Sequence, residues 1–397
     1  MKIGLLREGK YPPDKRVPFS PKQCESIISH FESVEICVQP SEIRCFKDSE
    51  YKEVGVAVLD DLSDCDIIMG VKEVPVSMLL ENKVFYFFSH TIKQQPYNRN
   101  LLKTIIAKNI QLVDYETIID EKGKRLIGFG RYAGIVGCYN SFLTFGKKTK
   151  IYNLTYAHLL DSMDALCKEL EEVQLPNDLK IILTGCGRVS NGAKEVLDML
   201  HIKEITKEEF ISNNFYEPVY VQLNTLDYNK RIDGAISSKT DFYKSPNKYK
   251  SSLKDYINQA HILIAGHFYA EGSPYILTND DLLSHSCKIQ VIGDISCDIA
   301  GPIASTIRPS TISEPIYGYN PMTSLEDDYT KKNIIAVMAV DNLPCSLPKD
   351  ASVDFGDVFI KEILPDLINR GPIMSNASIT LNGFLTDRFK YLSEYIN

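Results

Sequence analysis

The sequence predicts an α/β protein with two doubly wound domains, each a parallel sheet covered by helices. Segments with the patterns of strands and helices alternate from the first residue onward, and this alternation is typical of parallel sheets. The chain has 397 residues, a length that favours two domains over a single core. Its residues are 44% hydrophobic and 24% charged, as in ordinary globular proteins.

The first domain is predicted from a series of strands and helices that begins at Lys2. Ser20 suits the N-cap of a helix, and Pro21 suits the first helical position. The predicted strands are Lys2–Leu6, Val34–Val38, Asp66–Val71, Val84–Phe88 and Ile110–Asp114, and the predicted helices are Pro21–Phe31 and Asn100–Ala107. The glycines within residues 128–134 interrupt this pattern, so we place the end of the segment near residue 131.

The second domain is predicted over residues 132–340. Its predicted helices are Ile135–Phe145, Tyr156–Val173 and Gly192–Leu200, and its predicted strands are Lys180–Thr184, Ile202–Ile205, Val219–Leu223, Ile262–Ala265, Ile289–Gly293 and Ile334–Val340. The polar stretch Thr225–Asn258 is expected to be a long loop plus a helix. The tail from Pro344 has helical patches but too few strands for its own domain, so we expect residues 341–397 to cross back to residues 1–131.

The composition argues against several classes of protein. The formal net charge of −8 disfavours nucleic acid or an anionic membrane as the main partner, because both require basic surface. No apolar stretch approaches the roughly 18 residues of a membrane span. The ten cysteines form no CxxC pair and no Cys/His cluster at zinc spacing, so we predict no metal site. So many free thiols suit a reducing cytoplasm.

A glycine-rich turn from Gly185 to Gly192 follows a predicted strand and opens a predicted helix. Glycines allow a tight turn and let backbone N–H groups approach a pyrophosphate at the helix N-terminus. The residues expected to bind a dinucleotide here are Gly185, Gly187, Arg188, Val189 and Gly192. Their spacing is GxGxxxxG rather than the commoner GxGxxG, so an incidental glycine-rich turn is the alternative.

Glu204 is a candidate for the ribose of that dinucleotide. It lies 19 residues beyond Gly185, where an acidic residue commonly binds the 2′-hydroxyl of NAD. Lys203 and Lys207 flank it, which leaves the 2′-phosphate of NADP open, and a surface glutamate is the alternative. The sequence therefore does not decide between NAD and NADP.

Charged residues also follow the strands of the first domain. Lys72 and Glu73 follow one predicted strand and His90 follows the next, and such strand ends face the ligand crevice of open α/β sheets. Burial lowers a lysine pKa toward neutrality and histidine titrates nearby, so Lys72 and His90 are candidates for proton transfer. A solvated lysine and a capping histidine are the alternative. Asp294, after a strand of the second domain, is a candidate for the nicotinamide or a turn cap.

Three arginines, Arg7, Arg16 and Arg125, lie in or beside predicted turns. Guanidinium groups bind carboxylates bidentately, so together they suit a substrate with two or three carboxylates. Taken singly, each is an ordinary surface arginine. Asp114 and Glu116 end a strand and balance that positive charge.

These motifs resemble the family that joins lysine-forming saccharopine dehydrogenase with the lysine–ketoglutarate reductase half of a bifunctional enzyme. More distantly, the layout resembles alanine dehydrogenase and transhydrogenase. The resemblance covers nearly the whole chain. It rests on Leu6-Arg7-Glu8, Arg16-Val17-Pro18-Phe19-Ser20-Pro21, Gly70-Val71-Lys72-Glu73, Phe87-Phe88-Ser89-His90-Thr91-Ile92-Lys93, Asp114-Tyr115-Glu116, Arg125 with Phe129-Gly130, Ala133-Gly134, Gly185 to Ala193, Gly293 to Asp298, and Val340-Asp341-Asn342-Leu343-Pro344.

The resemblance implies two Rossmann-like domains with an active-site cleft between them and a C-terminal segment that crosses back to the first. It implies that Lys72 and His90 exchange protons, with Glu73 and Glu116 beside them. Substrate carboxylates would be bound by Arg7, Arg16 and Arg125, and Asp294 would lie near the nicotinamide.

The function implied is an oxidoreductase of lysine metabolism that interconverts saccharopine with lysine and 2-oxoglutarate, using NAD or NADP. The saccharopine-cleaving half of the bifunctional enzyme is absent from these 397 residues, so another chain is expected to perform that step. The alternatives are a related amino-acid or imine dehydrogenase, such as one acting on alanine, and a dinucleotide sensor without catalysis. The oligomeric state is left open.

Overall fold

The computed structural model describes residues 1–269 and 272–397. They form two compact units, Met1–Phe129 with Pro348–Asn397, and Gly130–Leu347. Each unit contains a parallel or mostly parallel sheet with helices, which confirms the predicted α/β class.

The first stretch of the chain builds a six-stranded sheet. Its elements are β1 (Lys2–Leu5), α1 (Pro21–His30), β2 (Glu35–Val38), α2 (Asp48–Glu53), β3 (Ala57–Val58), β4 (Ile67–Met69), β5 (Val84–Phe87), α3 (Arg99–Ala107) and β6 (Gln111–Asp114). The strand order is β3-β2-β1-β4-β5-β6, with every pair parallel. Since parallel strands end at one edge of the sheet, the residues after β1, β4, β5 and β6 are neighbours.

The predicted cap of α1 is confirmed. The Ser20 side chain accepts a hydrogen bond from the backbone N–H of Gln23. The Gln23 side chain in turn accepts one from the backbone N–H of Ser20 at 2.9 Å. This reciprocal pair satisfies two donors that a helix start leaves without partners.

The middle stretch builds an eight-stranded sheet. Its elements are α4 (Gly130–Thr149), α5 (Met163–Leu170), β7 (Lys180–Thr184), α6 (Arg188–Met199), β8 (Lys203–Glu204), α7 (Lys207–Ser212), β9 (Val219–Leu223), β10 (Asn229–Arg231), α8 (Lys239–Lys244), β11 (Tyr249–Ser251), α9 (Lys254–Ile257), β12 (Ile262–Ala265), α10 (Asn279–Leu283), β13 (Val291–Asp294), β14 (Ile316–Asn320), β15 (Leu325–Asp327) and β16 (Ile335–Met338). The order is β15-β14-β16-β13-β12-β7-β9-β8, and β14 and β15 are antiparallel additions at one edge.

The predicted break at residues 128–134 is wrong for most of its length, because α4 begins at Gly130. Glycine is required there by packing rather than by a turn. A Cβ at Gly134 would lie 1.8 Å from the Val189 carbonyl oxygen, and one at Gly192 would lie 2.0 Å from the Arg131 carbonyl oxygen. The glycines therefore let α4 and α6 approach backbone to backbone, a contact that sequence periodicity does not show.

Two further element predictions are wrong. Residues 156–173 are not one helix: they hold the 3₁₀ helix Ala157–Leu159 and the short helix α5, because Ser162 is extended and caps α5 by accepting the Ala165 N–H at 3.3 Å. The stretch 225–258 is more ordered than the predicted loop plus helix. Its strands β10 and β11 pair antiparallel, with α8 between them and α9 after them.

The last stretch returns to the first unit. It contains α11 (Pro348–Glu362), α12 (Leu364–Ile368), α13 (Pro372–Ala377), β17 (Thr380–Leu381), β18 (Phe384–Leu385) and α14 (Ser393–Ile396). Phe355 and Phe359 of α11 are buried in the same core as Phe19, whose ring meets that of Phe359 edge-on at 5.3 Å. Among the residues described, no helix has the length and apolarity to span a bilayer.

Candidate active site and dinucleotide-binding edge

Glu73 is the centre of a group of charged side chains at the carboxyl edge of the first sheet. Its Oε1 lies 2.6 Å from Nδ1 of His90, and its Oε2 lies 2.6 Å from Nζ of Lys10. Burial by itself raises the pKa of Glu73, but the hydrogen bonds from His90 and Lys10 outweigh it and lower the pKa to about 2. Because an ionised carboxylate only accepts, Nδ1 of His90 carries a hydrogen, and Nε2 is the nitrogen left for proton exchange.

The backbone of His90 is held in an unusual conformation by Asp114. His90 has a left-handed φ of 53°, which is uncommon outside glycine. One oxygen of the buried Asp114 carboxylate accepts the backbone N–H groups of Ser89 at 2.9 Å and His90 at 3.1 Å. The other oxygen accepts the backbone N–H of Glu116 at 2.7 Å. Asp114 therefore ties the segments after β5 and β6 together.

Lys72 stands beside this group, one residue before Glu73. Burial lowers the pKa of Lys72 below its ordinary value, and the charge of Arg16 lowers it further. The backbone N–H of Lys72 donates to Glu8 at 2.9 Å, and that of Val71 donates to the other oxygen of Glu8 at 2.6 Å. A lysine with a lowered pKa exchanges protons more readily near neutral pH.

Arg16 is buried, with 4% of its surface exposed. Its Nε and a terminal nitrogen donate to the two oxygens of Asp14 at 3.0 and 2.6 Å. Its guanidinium carbon lies 4.1 Å from the centre of the Phe129 ring. The structure brings Arg16 to the group around Lys72, but its bidentate carboxylate partner is Asp14 of the same chain.

Glu116 lies beside two cationic side chains. Its Oε1 lies 2.9 Å from Arg125 and 3.7 Å from Lys93. The carboxylate side chain is only 7% exposed, whereas Arg125 and Lys93 are 45% and 50% exposed. Within the described part of the chain, Oε2 of Glu116 is buried without a hydrogen-bond partner, so it is an acceptor available to a ligand.

Arg7 is the predicted site residue that the structure leaves away from this group. Its backbone N–H donates to the Gln39 side chain at 3.2 Å, and its guanidinium lies 3.2 Å from Asp60. Gln39 follows β2 and Asp60 follows β3, on one side of β1, whereas Lys72 and His90 follow β4 and β5 on the other.

The glycine turn of the second unit has the geometry of an anion site. Gly185 has a φ of +92°, and a Cβ there would lie 2.6 Å from Ser190 Oγ and 2.7 Å from the Gly266 carbonyl oxygen. Gly187 is the N-cap of α6, and no described side chain caps that helix start. A Cβ at Gly187 would meet no described atom within 4 Å. The turn therefore leaves open space in front of the helix N-terminus, where a phosphate is favoured.

The remaining residues predicted in this turn divide into two sets. Arg188 is the first residue of α6, next to the open space. The backbone of Val189 faces Gly134 of α4, and Gly192 faces the Arg131 carbonyl. The structure thus gives Val189 and Gly192 packing contacts between helices, which accounts for the long spacing to the third glycine.

Glu204 is not placed at the end of the strand next to the glycine turn. It lies on β8, the edge strand, level with Tyr220 and therefore with Ile181. The strand beside β7 is β9, which ends at Leu223, level with Thr184. The Glu204 carboxylate pairs with Lys194 and accepts the Tyr220 hydroxyl at 3.1 Å.

Asp294 is fully buried at the end of β13. Its carboxylate accepts hydrogen bonds from Thr306 Oγ1 at 2.6 Å, Ser296 Oγ at 2.7 Å and the Cys297 N–H at 3.1 Å. This arrangement is that of the turn-capping aspartate. Two residues after the adjacent strand β12, His267 is 5% exposed, and its Nδ1 lies 2.7 Å from Thr184 Oγ1.

His267 has hydrogen-bonding capacity left over. Burial lowers its pKa to about 4, against the opposing charge of Asp294. Among the residues described, its Nε2 has no hydrogen-bond partner. Also among those residues, no group of three or more His, Cys, Asp or Glu side chains has the arrangement of a metal site.

The arrangement of two α/β units is one that this chain shares with known proteins. Residues 4–136 match the family model described as "Alanine dehydrogenase/PNT, N-terminal domain". A solved structure named L-alanine dehydrogenase superposes with a TM-score of 0.64 at 14% identity, covering 100% of both chains. At this identity the structural match shows the fold.

Two curated relatives are more specific. Alpha-aminoadipic semialdehyde synthase from Mus musculus is 28% identical over 99% of this chain and 47% of its own length. Saccharopine dehydrogenase [NAD(+), L-lysine-forming] from Yarrowia lipolytica is 23% identical over 92% of both chains. These comparisons confirm the resemblance seen in the motifs, and the chain spans about half the length of the mouse relative.

Sequence reasoning missed several residues that organise the site, namely Glu8, Lys10, Asp14, Lys93 and His267. Glu8 and Lys10 follow β1 directly, as Lys72 follows β4, so the strand-end argument applied to all strands would have found them. Asp14, two residues before Arg16, is in range for a local carboxylate–guanidinium pair. Nothing in the sequence pattern marks His267.

Proposed function

We propose that this chain interconverts saccharopine with lysine and 2-oxoglutarate by hydride transfer between a carbon–nitrogen bond and a nicotinamide cofactor. One observation carries the proposal: at one sheet edge His90 is hydrogen-bonded to Glu73, and Lys72, which follows the adjacent strand, has a pKa lowered by burial. The whole-length similarity to a lysine-forming saccharopine dehydrogenase supplies the substrate. The assignments of individual residues below are part of the proposal.

The cofactor is proposed to bind at the carboxyl edge of the second sheet. Gly185 and Gly187 leave space for a pyrophosphate in front of α6, and Arg188 lies at that helix start. When bound, the nicotinamide accepts or supplies a hydride at its C4. Among the described residues Nε2 of His267 has no hydrogen-bond partner, whereas the Asp294 carboxylate already accepts from three donors.

His90 is proposed to handle protons on oxygen. In the direction of saccharopine formation, the lysine ε-amine adds to the ketone of 2-oxoglutarate, and the resulting carbinolamine loses water to give an imine. His90 Nε2 takes a proton from the substrate nitrogen and delivers it to the hydroxyl, which leaves as water, while Nδ1 keeps its hydrogen bond to ionised Glu73. That bond fixes the ring orientation and stabilises the imidazolium that exists while Nε2 holds the proton.

Lys72 is proposed to handle the proton on nitrogen. Its lowered pKa lets a neutral amine accept a proton from the substrate amine before attack. In the reverse direction, the same amine removes the proton from the secondary amine of saccharopine before oxidation. General acid–base groups of this kind contribute about 10²–10⁴-fold to rate.

Binding of the charged substrates is proposed to use the open groups around Glu116. Arg125 and Lys93 are half exposed and offer donors to substrate carboxylates. The buried, unpartnered Oε2 of Glu116 suits the ammonium group of an amino acid. Arg16 is proposed to steady this region through Asp14, and Arg7, paired with Asp60, to be peripheral to it.

The choice between NAD and NADP is proposed to depend on the end of β9 rather than on Glu204, because β9 is the strand beside the glycine turn. We keep the cytoplasm as the proposed compartment on the evidence of the free cysteines. The mouse relative is named as mitochondrial, so fractionation of the native host is the measurement that decides it.

A substrate screen tests the proposed function. The purified chain is assayed for reduction of NAD and, separately, NADP in the presence of saccharopine, alanine or no amino acid. We expect turnover with saccharopine and one preferred cofactor. Turnover with alanine but not saccharopine would support the alanine dehydrogenase-like alternative, and cofactor binding without turnover on any amine would support the sensor.

A further inference from the structure

Glu8 makes a two-point contact with the backbone that carries Lys72. Residues 70–73 follow β4 and belong to no helix or strand. The Gly70 N–H still donates to the Tyr86 carbonyl of β5 at 2.9 Å, whereas the N–H groups of Val71 and Lys72 turn to Glu8. The two carboxylate oxygens of Glu8 accept the N–H groups of Val71 and Lys72 at 2.6 and 2.9 Å. A buried N–H group without a partner is destabilising, so this contact fixes the local backbone.

Gly70 supports the same contact. A Cβ at Gly70 would lie 3.3 Å from Oε1 of Glu8, closer than ordinary van der Waals contact. Glycine at position 70 therefore leaves the carboxylate room to reach both N–H groups. The hydrogen bonds from the Val71 and Lys72 N–H groups and the space at Gly70 are separate observations. Both support the same position of the Glu8 carboxylate.

We infer that Glu8 is a positioning residue for the reaction proposed above: its ionised carboxylate clamps the Val71–Lys72 backbone and so places the Lys72 amine. The clamp acts through Lys72 and does not touch substrate. Misplacement of a catalytic group by about 1 Å can cost on the order of 10²-fold in rate, so the clamp is expected to act on kcat more than on KM.

The clamp is expected to respond to pH. Burial raises the pKa of Glu8 to about 7; the Val71 N–H opposes this, the negative charge of Asp14 adds to it, and the positive charge of Arg16 opposes it. Tyr115 is the buried group that faces Glu8 from the segment after β6. Above pH 7 the ionised carboxylate accepts both N–H groups; below it the added proton weakens one of them.

The decisive experiment compares Glu8→Gln with the wild type across pH. Glutamine keeps the shape and one acceptor but presents an amide to the second N–H and does not titrate. We expect kcat of E8Q to be about 10-fold lower or more at pH 8.5, with the ratio falling toward one below pH 6. A ratio that stays constant with pH would overturn the clamp, because a merely structural role predicts a constant loss.

Asp366→Asn is the matched control. Asp366 also accepts two backbone N–H groups, those of Ile373 at 3.3 Å and Met374 at 2.9 Å, but in the C-terminal stretch away from Lys72. We expect D366N to change stability and leave the pH profile of kcat unaltered. If E8Q does not fold, Gly70→Ala replaces it and should give a smaller loss with the same pH dependence.

A second readout separates failure of the clamp from failure of the proposed function. Deuterium uptake of the peptide covering residues 70–74 is measured at pH 8 without substrate. We expect uptake about 10-fold faster in E8Q than in the wild type or D366N, because opening free energies set exchange rates. Equal uptake would overturn the clamp even if saccharopine is the substrate, and faster uptake would support it even if it is not.

Discussion

The carboxyl edges of the two sheets are built in different ways. At the first edge, carboxylate side chains make the contacts. Glu73 binds the side chains of His90 and Lys10, and Asp114 and Glu8 accept the backbone N–H groups of His90 and Lys72. At the second edge, glycines and backbone leave a space before α6, and the carboxylate of Asp294 is occupied by hydrogen bonds within its own unit.

This difference indicates that the two edges have different roles. Side-chain ion pairs shift pKa values and so suit proton transfer, whereas backbone N–H groups at a helix start suit binding of an anion that does not change charge. Substitutions at the first edge should change rates and pH dependence. Substitutions at the second should change affinity or folding.

The largest effect is expected from His90→Gln at the first edge. Glutamine fills similar space but does not exchange protons, so kcat should fall by about 10²–10⁴-fold while cofactor affinity stays within about 2-fold, well under 1.4 kcal/mol. Saccharopine-dependent rates and cofactor titrations measure the two quantities. His30→Gln is the control because His30 is exposed at the end of α1, and a fall of equal size in H30Q would contradict the assignment.

At the second edge, Gly192→Ala is expected to disturb folding rather than charge. The new methyl would sit 2.0 Å from the Arg131 carbonyl oxygen, and overpacking of this kind costs about 1–3 kcal/mol. Thermal unfolding should show the loss. Gly187→Ala is the matched variant: its methyl meets no described atom within 4 Å, so stability should hold and cofactor affinity should fall. Equal unfolding temperatures of G192A and the wild type would contradict the packing role.

The lowered pKa of Glu73 predicts that the free energy of unfolding depends on pH. Its pKa, lowered to about 2, means that its contribution is complete above its unfolded value near 4.5 and is lost as pH falls toward 2. The contribution is of the order of 3 kcal/mol. The difference in unfolding free energy between the wild type and Glu73→Gln should therefore shrink from pH 6 to pH 3. A difference that grows on acidification would have the wrong sign.

The smallest effect is expected from Glu204→Gln. Because Glu204 lies on the edge strand and pairs with Lys194, neutralising it should alter NAD and NADP affinities by less than about 2-fold, a small fraction of 1.4 kcal/mol. Titration with both cofactors measures this. A large, selective loss of NAD affinity would show that Glu204 accepts the ribose hydroxyl. It would contradict the claim that backbone groups, and not charged side chains, bind the cofactor at the second edge.

The sequence predicted most strands of both sheets because buried parallel strands are short apolar runs bounded by polar residues. It also placed Lys72, Glu73 and His90 at strand ends, which face the ligand crevice in open α/β sheets. It did not predict the helical course of residues 130–134, where packing against Val189 overrides glycine's poor helix propensity. Nor did it predict that Arg16 pairs with Asp14 or that Arg7 turns to Asp60, since side-chain direction depends on tertiary neighbours.

The sequence also did not predict the strand order of the second sheet. The spacing of Glu204 fits a sheet in which the second strand lies beside the first. Here the two-residue strand β8 is at the edge and β9 takes the inner place. Both strands follow the glycine turn in the chain, and periodicity alone does not say which of them pairs with β7.

Lys72→Met tests the division between the two edges most directly. Methionine keeps the length of the side chain and removes the amine. We therefore expect loss of most saccharopine-dependent turnover, with unchanged cofactor affinity in the same preparation. Lys103→Met, exposed on α3, should behave as the wild type in both assays. Unchanged turnover in K72M, or loss of cofactor binding together with turnover, would contradict the account.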